Sequence, residues 1–383
     1  MPAKPRGMKG KIESQSDLFN QKVCSSRSAL SVPPFLGPLA MVKNRARMQT
    51  NMQKVEFVYF SQDDVIKVGL TMGETISIVE TVLREHGLGR VENPPKPGIH
   101  PLSDAFIHAM PGYLPGLQTA GMKWVSSFPG NVRHDLPAVM GLMVLNDVQT
   151  GQPLALMDCR WITAVRTGAV SGVAAKYLAK KNSSVIGVVG AGIQGRFNLL
   201  ALKNVLPEIH QVKVFDINPK VLKNYIQQMS QVITVQFDAV ASPQDAIVGA
   251  DVIVTATGRL EKVIYMERWV KEGALVLPIH HRGWENTLLQ KADKFVCDDW
   301  LQLQQADQDV GGFDGPLPSL HGELGEIVLG RKAGRQTDQE RIVDFNYGLA
   351  IEDVAVARTI LEKGRVQKVG LVLTLCQGDL PLQ

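Results

Sequence analysis

The feature that most constrains the fold is a glycine-rich turn between an apolar strand and a helix. The apolar run Val185–Val189 leads directly into Gly190, Gly192 and Gly195, and a helical pattern follows. A second β-branched run ends in Asp216, 21 residues after the last of these glycines. This order is typical of a Rossmann dinucleotide-binding unit, where the glycines permit a tight turn, close approach to the pyrophosphate and close helix packing. A glycine turn in an unrelated α/β protein is the alternative.

The residues around this turn indicate NAD as the cofactor, with NADP less favoured. Asp216 is able to accept hydrogen bonds from both ribose hydroxyls, and its charge repels the 2′-phosphate of NADP. The helix that starts near Ile193 and Gln194 offers free N–H groups and a positive dipole end to the pyrophosphate. Thr257 follows another apolar strand, and carboxyl strand ends line the ligand crevice, so we expect it to contact the cofactor. A plain turn at Thr257 is the alternative.

The strand pattern predicts an α/β fold class. From residue 185 to residue 297, short β-branched apolar runs alternate with helical stretches. Strands that are apolar throughout, rather than at every second residue, predict a parallel sheet covered by helices on both faces. Upstream, the Pro- and Gly-rich stretch 93–116 is expected to form loop and a short strand.

The composition excludes several function classes. The net charge is only +4, and lysine and arginine are not gathered on one face of a domain, which disfavours a nucleic-acid partner. The four cysteines are widely scattered without a C-x-x-C pair, which disfavours a metal site and a disulfide framework and favours the reducing cytoplasm. No apolar run reaches the roughly 18 residues of a membrane span. We therefore expect no metal, no nucleic acid and no membrane.

The first 51 residues differ from the rest in being basic, poor in acids and broken by prolines. We expect residues 1–51 to be a flexible extension, or to lie upstream of a later start at Met48 or Met52. A transit peptide has a similar composition and is the alternative.

Two cations lie in apolar surroundings, where an unpaired charge is costly. Lys123 interrupts an apolar strand, so it either points to solvent from a sheet edge or is held in a site. Arg166 lies near the start of a helix of small apolar residues. Its planar fork suits a carboxylate, and a structural salt bridge explains it equally well.

Four segments that contain these residues resemble the ornithine cyclodeaminase/mu-crystallin family in order and spacing. They are residues 121–124, 153–158, 162–167 and 189–195, and the similarity extends over residues 57–380. The resemblance implies binding of NAD(H) or NADP(H) and action on amino acids or their imines. The family includes ornithine cyclodeaminases, alanine dehydrogenases, ketimine reductases and an opine-type dehydrogenase, which the segments 321–326 and 349–354 resemble best.

The resemblance also implies roles for individual residues. Lys123 and Arg166 would bind the substrate carboxylate and help to polarise the reacting carbon. Lys96 falls where many members have an arginine that also holds the carboxylate. Thr167 would lie near the cofactor phosphates or the nicotinamide, and Asp353 would face the nicotinamide side of the cleft.

The chain departs from the family pattern after the strand at residues 275–279. Cyclodeaminases and archaeal alanine dehydrogenases place an acid/base aspartate there, whereas this chain has His280 and His281. Imidazole titrates near neutrality, so either histidine is a candidate for proton transfer. Substrate binding, or simply lining the cleft, is the alternative. Because this aspartate is missing, ornithine cyclodeamination is less favoured as the predicted activity.

The resulting prediction is a Rossmann NAD-binding domain at residues 161–334 and a discontinuous α/β substrate and dimerisation domain at residues 52–160 and 335–383. The predicted function is an NAD-dependent oxidoreductase of a small L-amino acid or its imine, active as a homodimer. The alternatives are an ornithine cyclodeaminase that forms proline and ammonia with internally recycled NAD, and a non-catalytic NAD(P)H-dependent ligand-binding protein.

Overall fold

A computed structural model describes residues 54–258, 260, 262–280, 282–310 and 315–378 of the chain. These residues belong to one compact unit. The predicted extension at residues 1–51 and the predicted acid/base His281 lie outside the described residues.

Two sheets organise the described residues. The first has seven strands in the order β15-β1-β6-β5-β4-β3-β2, mostly antiparallel, with β1 and β6 parallel. Its strands are β1 Val55–Phe60, β2 Gly98–Leu102, β3 Ala105–Leu114, β4 Thr119–Ser127, β5 Val139–Asn146, β6 Pro153–Asp158 and β15 Leu371–Cys376.

The second sheet has eight strands in the order β13-β12-β14-β11-β10-β7-β8-β9, and all its neighbours pair in parallel. Its strands are β7 Val185–Val189, β8 Gln211–Phe215, β9 Gln236–Ala239, β10 Val252–Thr255, β11 Leu275–Pro278, β12 Lys294–Cys297, β13 Gly322–Glu323 and β14 Ile342–Phe345. Its four central strands are almost fully buried, as expected for a sheet covered on both faces. The α/β class and the parallel sheet are therefore confirmed.

Ten α-helices are described beside the sheets. They are α1 Gln62–Lys67, α2 Met72–Gly87, α3 Arg160–Leu178, α4 Ile193–Val205, α5 Pro219–Met229, α6 Pro243–Ile247, α7 Asn286–Lys291, α8 Trp300–Val310, α9 Leu324–Val328 and α10 Ala350–Gln367. Helix α1 is capped by Ser61, whose side chain closes a capping box with that of Asp64. Within this part of the chain, no helix is long and apolar enough to cross a membrane.

Helix α3 lies at the centre of the larger core cluster. It is buried on nearly every side, and its small residues, such as Ala169 and Ala174, are 0% exposed. The same cluster contains Met143 and Met157 of the first sheet and Val188 of the second. A helix that is buried on nearly every side must be enclosed by other elements. Helix α3 therefore connects the two sheets, and its position determines where its polar residues lie.

The prediction for residues 93–116 was wrong in part. The stretch contains the hairpin of β2 and the ten-residue β3, not only loop and a short strand. Its prolines and glycines suggested loop, but β2 pairs only with residues 105–108 of β3. At Pro111 the strand is therefore paired on one side, by β4, and a missing N–H costs little at such an edge.

The close packing of α3 on α4 gives a first test. A Cβ built on Gly168 lies 2.5 Å from the carbonyl oxygen of Phe197, which is backbone and cannot turn aside. We expect Gly168→Ala to push α4 away and lower the free energy of unfolding by about 1–3 kcal/mol. Gly130→Ala, where a Cβ meets nothing within 4 Å, is the matched control. Equal urea midpoints for the two variants would contradict this packing.

Candidate active site

The predicted cations Lys123 and Arg166 meet on one buried carboxylate. Lys123 of β4 donates from Nζ to Oδ2 of Asp353 at 2.6 Å, and Arg166 of α3 donates from Nε to Oδ1 at 3.2 Å. Asp353 lies in the first turn of α10 and is 0% exposed. The reading of Lys123 as a solvent-facing edge residue is thus wrong. Arg166 forms the structural salt bridge that the sequence analysis gave as one of its two explanations.

A second carboxylate completes this cluster. Arg166 also donates from Nη1 to Oε2 of Glu352 at 3.1 Å. Burial raises the pKa of Glu352 to about 7, against the opposing charge of Arg166. Burial alone would lower the pKa of Arg166, but Asp353 and Glu352 outweigh it and raise that pKa. The guanidinium therefore stays charged and is held in one orientation.

Lys96 adds a third cation that has no carboxylate partner. Its Nζ donates to the carbonyl oxygen of Tyr347 at 2.8 Å and lies 3.7 Å from the centre of the Tyr347 ring. No salt bridge to it is found among the residues that the structure describes. Burial, with the neighbouring charges of Arg166 and Lys123, lowers the pKa of Lys96 to about 7, although Asp298 opposes this.

Asp298 fixes the loop that receives Lys96. Its side chain follows β12 and accepts the backbone N–H groups of Tyr347 and Gly348. Burial raises the pKa of Asp298, although Lys96 and the backbone donors oppose the shift. This loop joins β14 to α10, so Asp298 aligns the carboxylates of α10 with the parallel sheet.

The glycine turn has the geometry that a dinucleotide needs. Gly190 has φ +102°, and a Cβ there would lie 2.5 Å from the carbonyl oxygen of Ala256. A Cβ on Gly195 would lie 2.2 Å from the carbonyl oxygen of Gly190, so the helix packs on the turn itself. At Gly192 a Cβ meets nothing within 4 Å, which leaves the backbone open to a phosphate.

The remaining cofactor residues lie around this turn. Helix α4 begins at Ile193, followed by Gln194, and no side chain caps it. Asp216 directly follows β8 and accepts a hydrogen bond from the N–H of Ala191 at 2.8 Å, which ties it to the turn. Thr257 follows β10, and its hydroxyl lies 3.3 Å from that of Tyr265. An uncapped helix, an open glycine and an adjacent carboxylate fit the pyrophosphate and ribose of NAD.

A small cleft opens beside the ion cluster. It is lined by Arg166, Thr167, Val170, Ser171, Pro278, Ile279, Asp344 and Asn346. Thr167 lines this cleft, and its hydroxyl donates a hydrogen bond to the carbonyl oxygen of Thr163. His280 comes directly after Ile279, and its Nδ1 accepts the N–H of Arg282 at 3.2 Å. Among the described residues, His280 is not one of those that line the cleft.

Sequence reasoning assigned no role to three buried carboxylates near this cleft: Asp298, Asp344 and Glu352. Asp344 had a recognisable signal, because it is an acid inside the apolar strand 342–345. Asp298 follows the apolar run 294–297 in the same way. Acids at the carboxyl ends of parallel strands lie where such sheets bind their ligands.

The comparisons with known proteins assign the chain to a family. The family model described as "Ornithine cyclodeaminase/mu-crystallin family" matches residues 58–368. The chain belongs to this family. It is 38% identical to a nodulation efficiency protein of Rhizobium meliloti over 318 residues, which cover 82% of this chain and 98% of that protein.

Two solved structures share the fold. The Δ1-pyrroline-2-carboxylate reductase of Thermococcus litoralis, in complex with NADH and L-proline, superposes with a TM-score of 0.75 at 33% identity, covering 82% of this chain and 99% of that one. An archaeal alanine dehydrogenase dimer with bound NAD has a TM-score of 0.74 at 34% identity, covering 84% and 100%. The predicted class, an NAD-dependent oxidoreductase of amino or imino acids, is confirmed at the level of the family.

The loop glycine beside Arg166 gives a second test. Gly348 has φ +85°, and a Cβ there would lie 2.3 Å from Nη1 of Arg166. We expect Gly348→Ala to displace the guanidinium from Glu352 and to lower the free energy of unfolding. Gly151→Ala separates this collision from backbone strain, because Gly151 has φ +75° and open space around it. Gly348→Ala should cost at least about 1 kcal/mol more in urea denaturation; equal losses would show that the guanidinium is not packed against this loop.

Proposed function

We propose that the protein is an NAD-dependent oxidoreductase that acts on a small L-amino acid or its imine. The observation that carries this is that Arg166 lines a cleft at the carboxyl edge of the glycine-turn sheet, with the buried Lys96 and Lys123 close enough to feel its charge. Lys96 among these three residues forms no salt bridge with a carboxylate of the described residues and donates instead to the carbonyl oxygen of Tyr347. A substrate carboxylate supplies the missing negative charge.

The chain's own residues divide the work. Arg166 is anchored through Nε and Nη1, which leaves Nη2 for the substrate carboxylate together with Lys96. Lys123 stays beside Asp353 and orients the reacting carbon. Thr167 and Thr257 contact the cofactor, and the glycine turn with Ile193 and Gln194 holds its pyrophosphate. NAD, when bound, supplies the hydride chemistry, so the protein has to bind, orient and manage a proton.

The arrangement of the chain supports two further proposals. Residues 161–334 act as the NAD-binding domain, and residues 52–160 with 335–383 act as the substrate and dimerisation domain, because the first supply seven strands of the parallel sheet and the second supply the whole other sheet; β14, Ile342–Phe345, adds a strand from the second set to the parallel sheet. The protein is a homodimer, because Trp124 and Leu142 pair across the exposed face of the first sheet at 43% and 41% exposure. We also propose a cytoplasmic location, supported by free thiols at Cys159, Cys297 and Cys376.

One assay tests the activity. The purified protein is incubated with L-alanine, L-proline, L-ornithine and other L-amino acids plus NAD, while NADH absorbance and ammonia are recorded together. The imine direction is assayed with NADH and cyclic or ammonia-derived imines. NADH formation or consumption with one substrate pair is the expected result. Ammonia and proline from ornithine without net NADH would replace the proposal by cyclodeamination, and tight NADH binding without any turnover would replace it by a ligand-binding role.

Asp216 sets the choice of cofactor in this account. We expect Asp216→Ser to weaken NADH binding and to lower the ratio of NADPH to NADH dissociation constants by roughly tenfold or more, because the 2′-phosphate no longer meets a carboxylate. Asp238→Ser, which changes an acid on the neighbouring strand β9, is the control. Fluorescence titration with both nucleotides gives the constants. An unchanged ratio would remove Asp216 from the ribose site.

Lys96 should make substrate binding depend on pH. Its pKa is lowered to about 7, so it is a cation below that pH and neutral above it. We expect the affinity of the NADH-bound enzyme for its amino acid to fall by roughly tenfold as pH rises through 7. Lys96→Arg keeps the charge and should flatten this fall. Glu352, which also titrates near 7, is present in both proteins. Equal slopes in calorimetric titrations would contradict the role of Lys96.

A further inference from the structure

A buried carboxylate at the end of β14 has one oxygen without a partner. Asp344 is 1% exposed, and its Oδ2 accepts a hydrogen bond from Nδ2 of Asn346 at 2.5 Å. Its Oδ1 has no hydrogen-bond donor among the described residues. Leaving a buried polar oxygen unpaired costs free energy, so such a group calls for a functional explanation.

The position of Asp344 supplies that explanation. It lines the cleft together with Arg166, Thr167, Ile279 and Asn346. Strand β14 lies next to β11, whose carboxyl end leads to Ile279, so Asp344 lies at the carboxyl edge of the parallel sheet. Open α/β sheets bind the reacting part of their ligands at this edge.

The charges around Asp344 differ from those around its neighbours. Asp353 and Glu352 each pair with Arg166, and Asp298 accepts two backbone N–H groups. Asp344 has no salt bridge within the described part of the chain. Burial raises its pKa well above the usual range, the negative charge of Asp298 adds to this, and only the Asn346 hydrogen bond opposes it. The group therefore suits holding a proton near neutral pH.

We propose that Asp344 is the acid/base residue that exchanges a proton with the substrate nitrogen. It fills the role that the resemblance gives to an aspartate after β11, where this chain has the sequence His280-His281. The inference rests on the proposed function, because it needs an amino or imino nitrogen in the cleft.

The proton and electrons balance as follows for oxidation. The Asp344 carboxylate removes one proton from the substrate ammonium group. The freed nitrogen lone pair forms the C=N bond while the Cα–H bond breaks, and that hydrogen leaves with its electron pair to oxidised NAD. In the reverse direction, the reduced cofactor would return the hydride to the carbon of the protonated imine, and protonated Asp344 gives its proton to the amine nitrogen that forms, which restores the ammonium group.

The direction of the pH dependence follows from these roles. Reduction requires protonated Asp344, so its rate falls as pH rises through the Asp344 pKa. Oxidation requires the Asp344 carboxylate, so its rate rises over the same pH range. The charged and titratable groups around it are Arg166 from α3, Cys297 at the end of β12 and Asp298 directly after β12. An Asp344 variant should therefore lose the part of the pH–rate profile that is due to Asp344 and keep the parts that are due to these neighbours.

Three variants test the inference. Asp344→Asn keeps the shape and the contact to Asn346 but removes the proton. Asp344→Ala opens space for formate, which restores a missing carboxylate but does not repair a merely structural defect. Asp251→Asn is the control, because Asp251 is 5% exposed and accepts from Ser184 and Val185 at the opposite edge of the same sheet. NADH dissociation constants show whether each variant retains its fold.

Turnover and infrared spectra supply independent readouts. We expect Asp344→Asn to lower kcat in both directions by roughly a hundredfold or more, to lose the pH limb, and to bind NADH as wild type. Formate should restore activity to Asp344→Ala and should leave the activity of Asp251→Asn unchanged. Infrared spectra of wild type without substrate should contain a protonated carboxyl band near neutral pH that Asp344→Asn lacks.

Three results would overturn the inference. They are an Asp344→Asn enzyme with near wild-type turnover, an unchanged pH limb, or a wild-type spectrum without that band. Failure of the proposed function is distinguishable. In that case wild type shows no turnover with any substrate; the acid/base role then falls with the function, and the infrared band still shows whether Asp344 holds a proton.

Discussion

The structure depends on the buried carboxylate of Asp353, which accepts hydrogen bonds from Lys123 and Arg166. These three residues come from β4, α3 and α10, so one ion cluster joins the first sheet, the central helix and the last helix. Removing one partner would leave a buried charge uncompensated, which is strongly destabilising. Glu352 extends the cluster, and together the two carboxylates keep Arg166 charged and oriented.

The parallel sheet adds the second constraint. Its glycine turn needs Gly190 and Gly195 because backbone atoms lie where side chains would be. Asp298 then fixes the loop between β14 and α10 against the edge of that sheet. The cofactor turn and the ion cluster are thus parts of one rigid arrangement, as preorganised binding of a small charged substrate requires.

The sequence allowed prediction of those parts whose physical cause is local. The spacing of Gly190, Gly192, Gly195 and Asp216 is local, and the cofactor turn followed from it. Lys123 and Arg166 were recognisable because a cation in an apolar segment needs a partner. Their partner Asp353 is 230 and 187 residues away, and only the fold brings them together.

The remaining errors also have physical reasons. Strand β3 was obscured by Pro111, because local composition does not reveal that the strand is unpaired on one side there. Asp344 carried a signal, an acid in a buried strand, but its lack of a partner is a property of the folded chain. The acid/base role of His280 and His281 is not among these errors: it came from the resemblance and from the ordinary titration range of imidazole, and for both residues it stays a prediction.

The central claim is that Lys96 and Arg166 bind the carboxylate of an amino or imino acid beside NAD, while Lys123 orients the reacting carbon. A crystal structure of the protein with NADH and L-proline, or with the amino acid found active, tests it most directly. The account predicts the ligand carboxylate within hydrogen-bond distance of Lys96 and Arg166, with its nitrogen facing Asp344. A carboxylate bound away from both cations, or a ligand that lies outside the cleft, would contradict it.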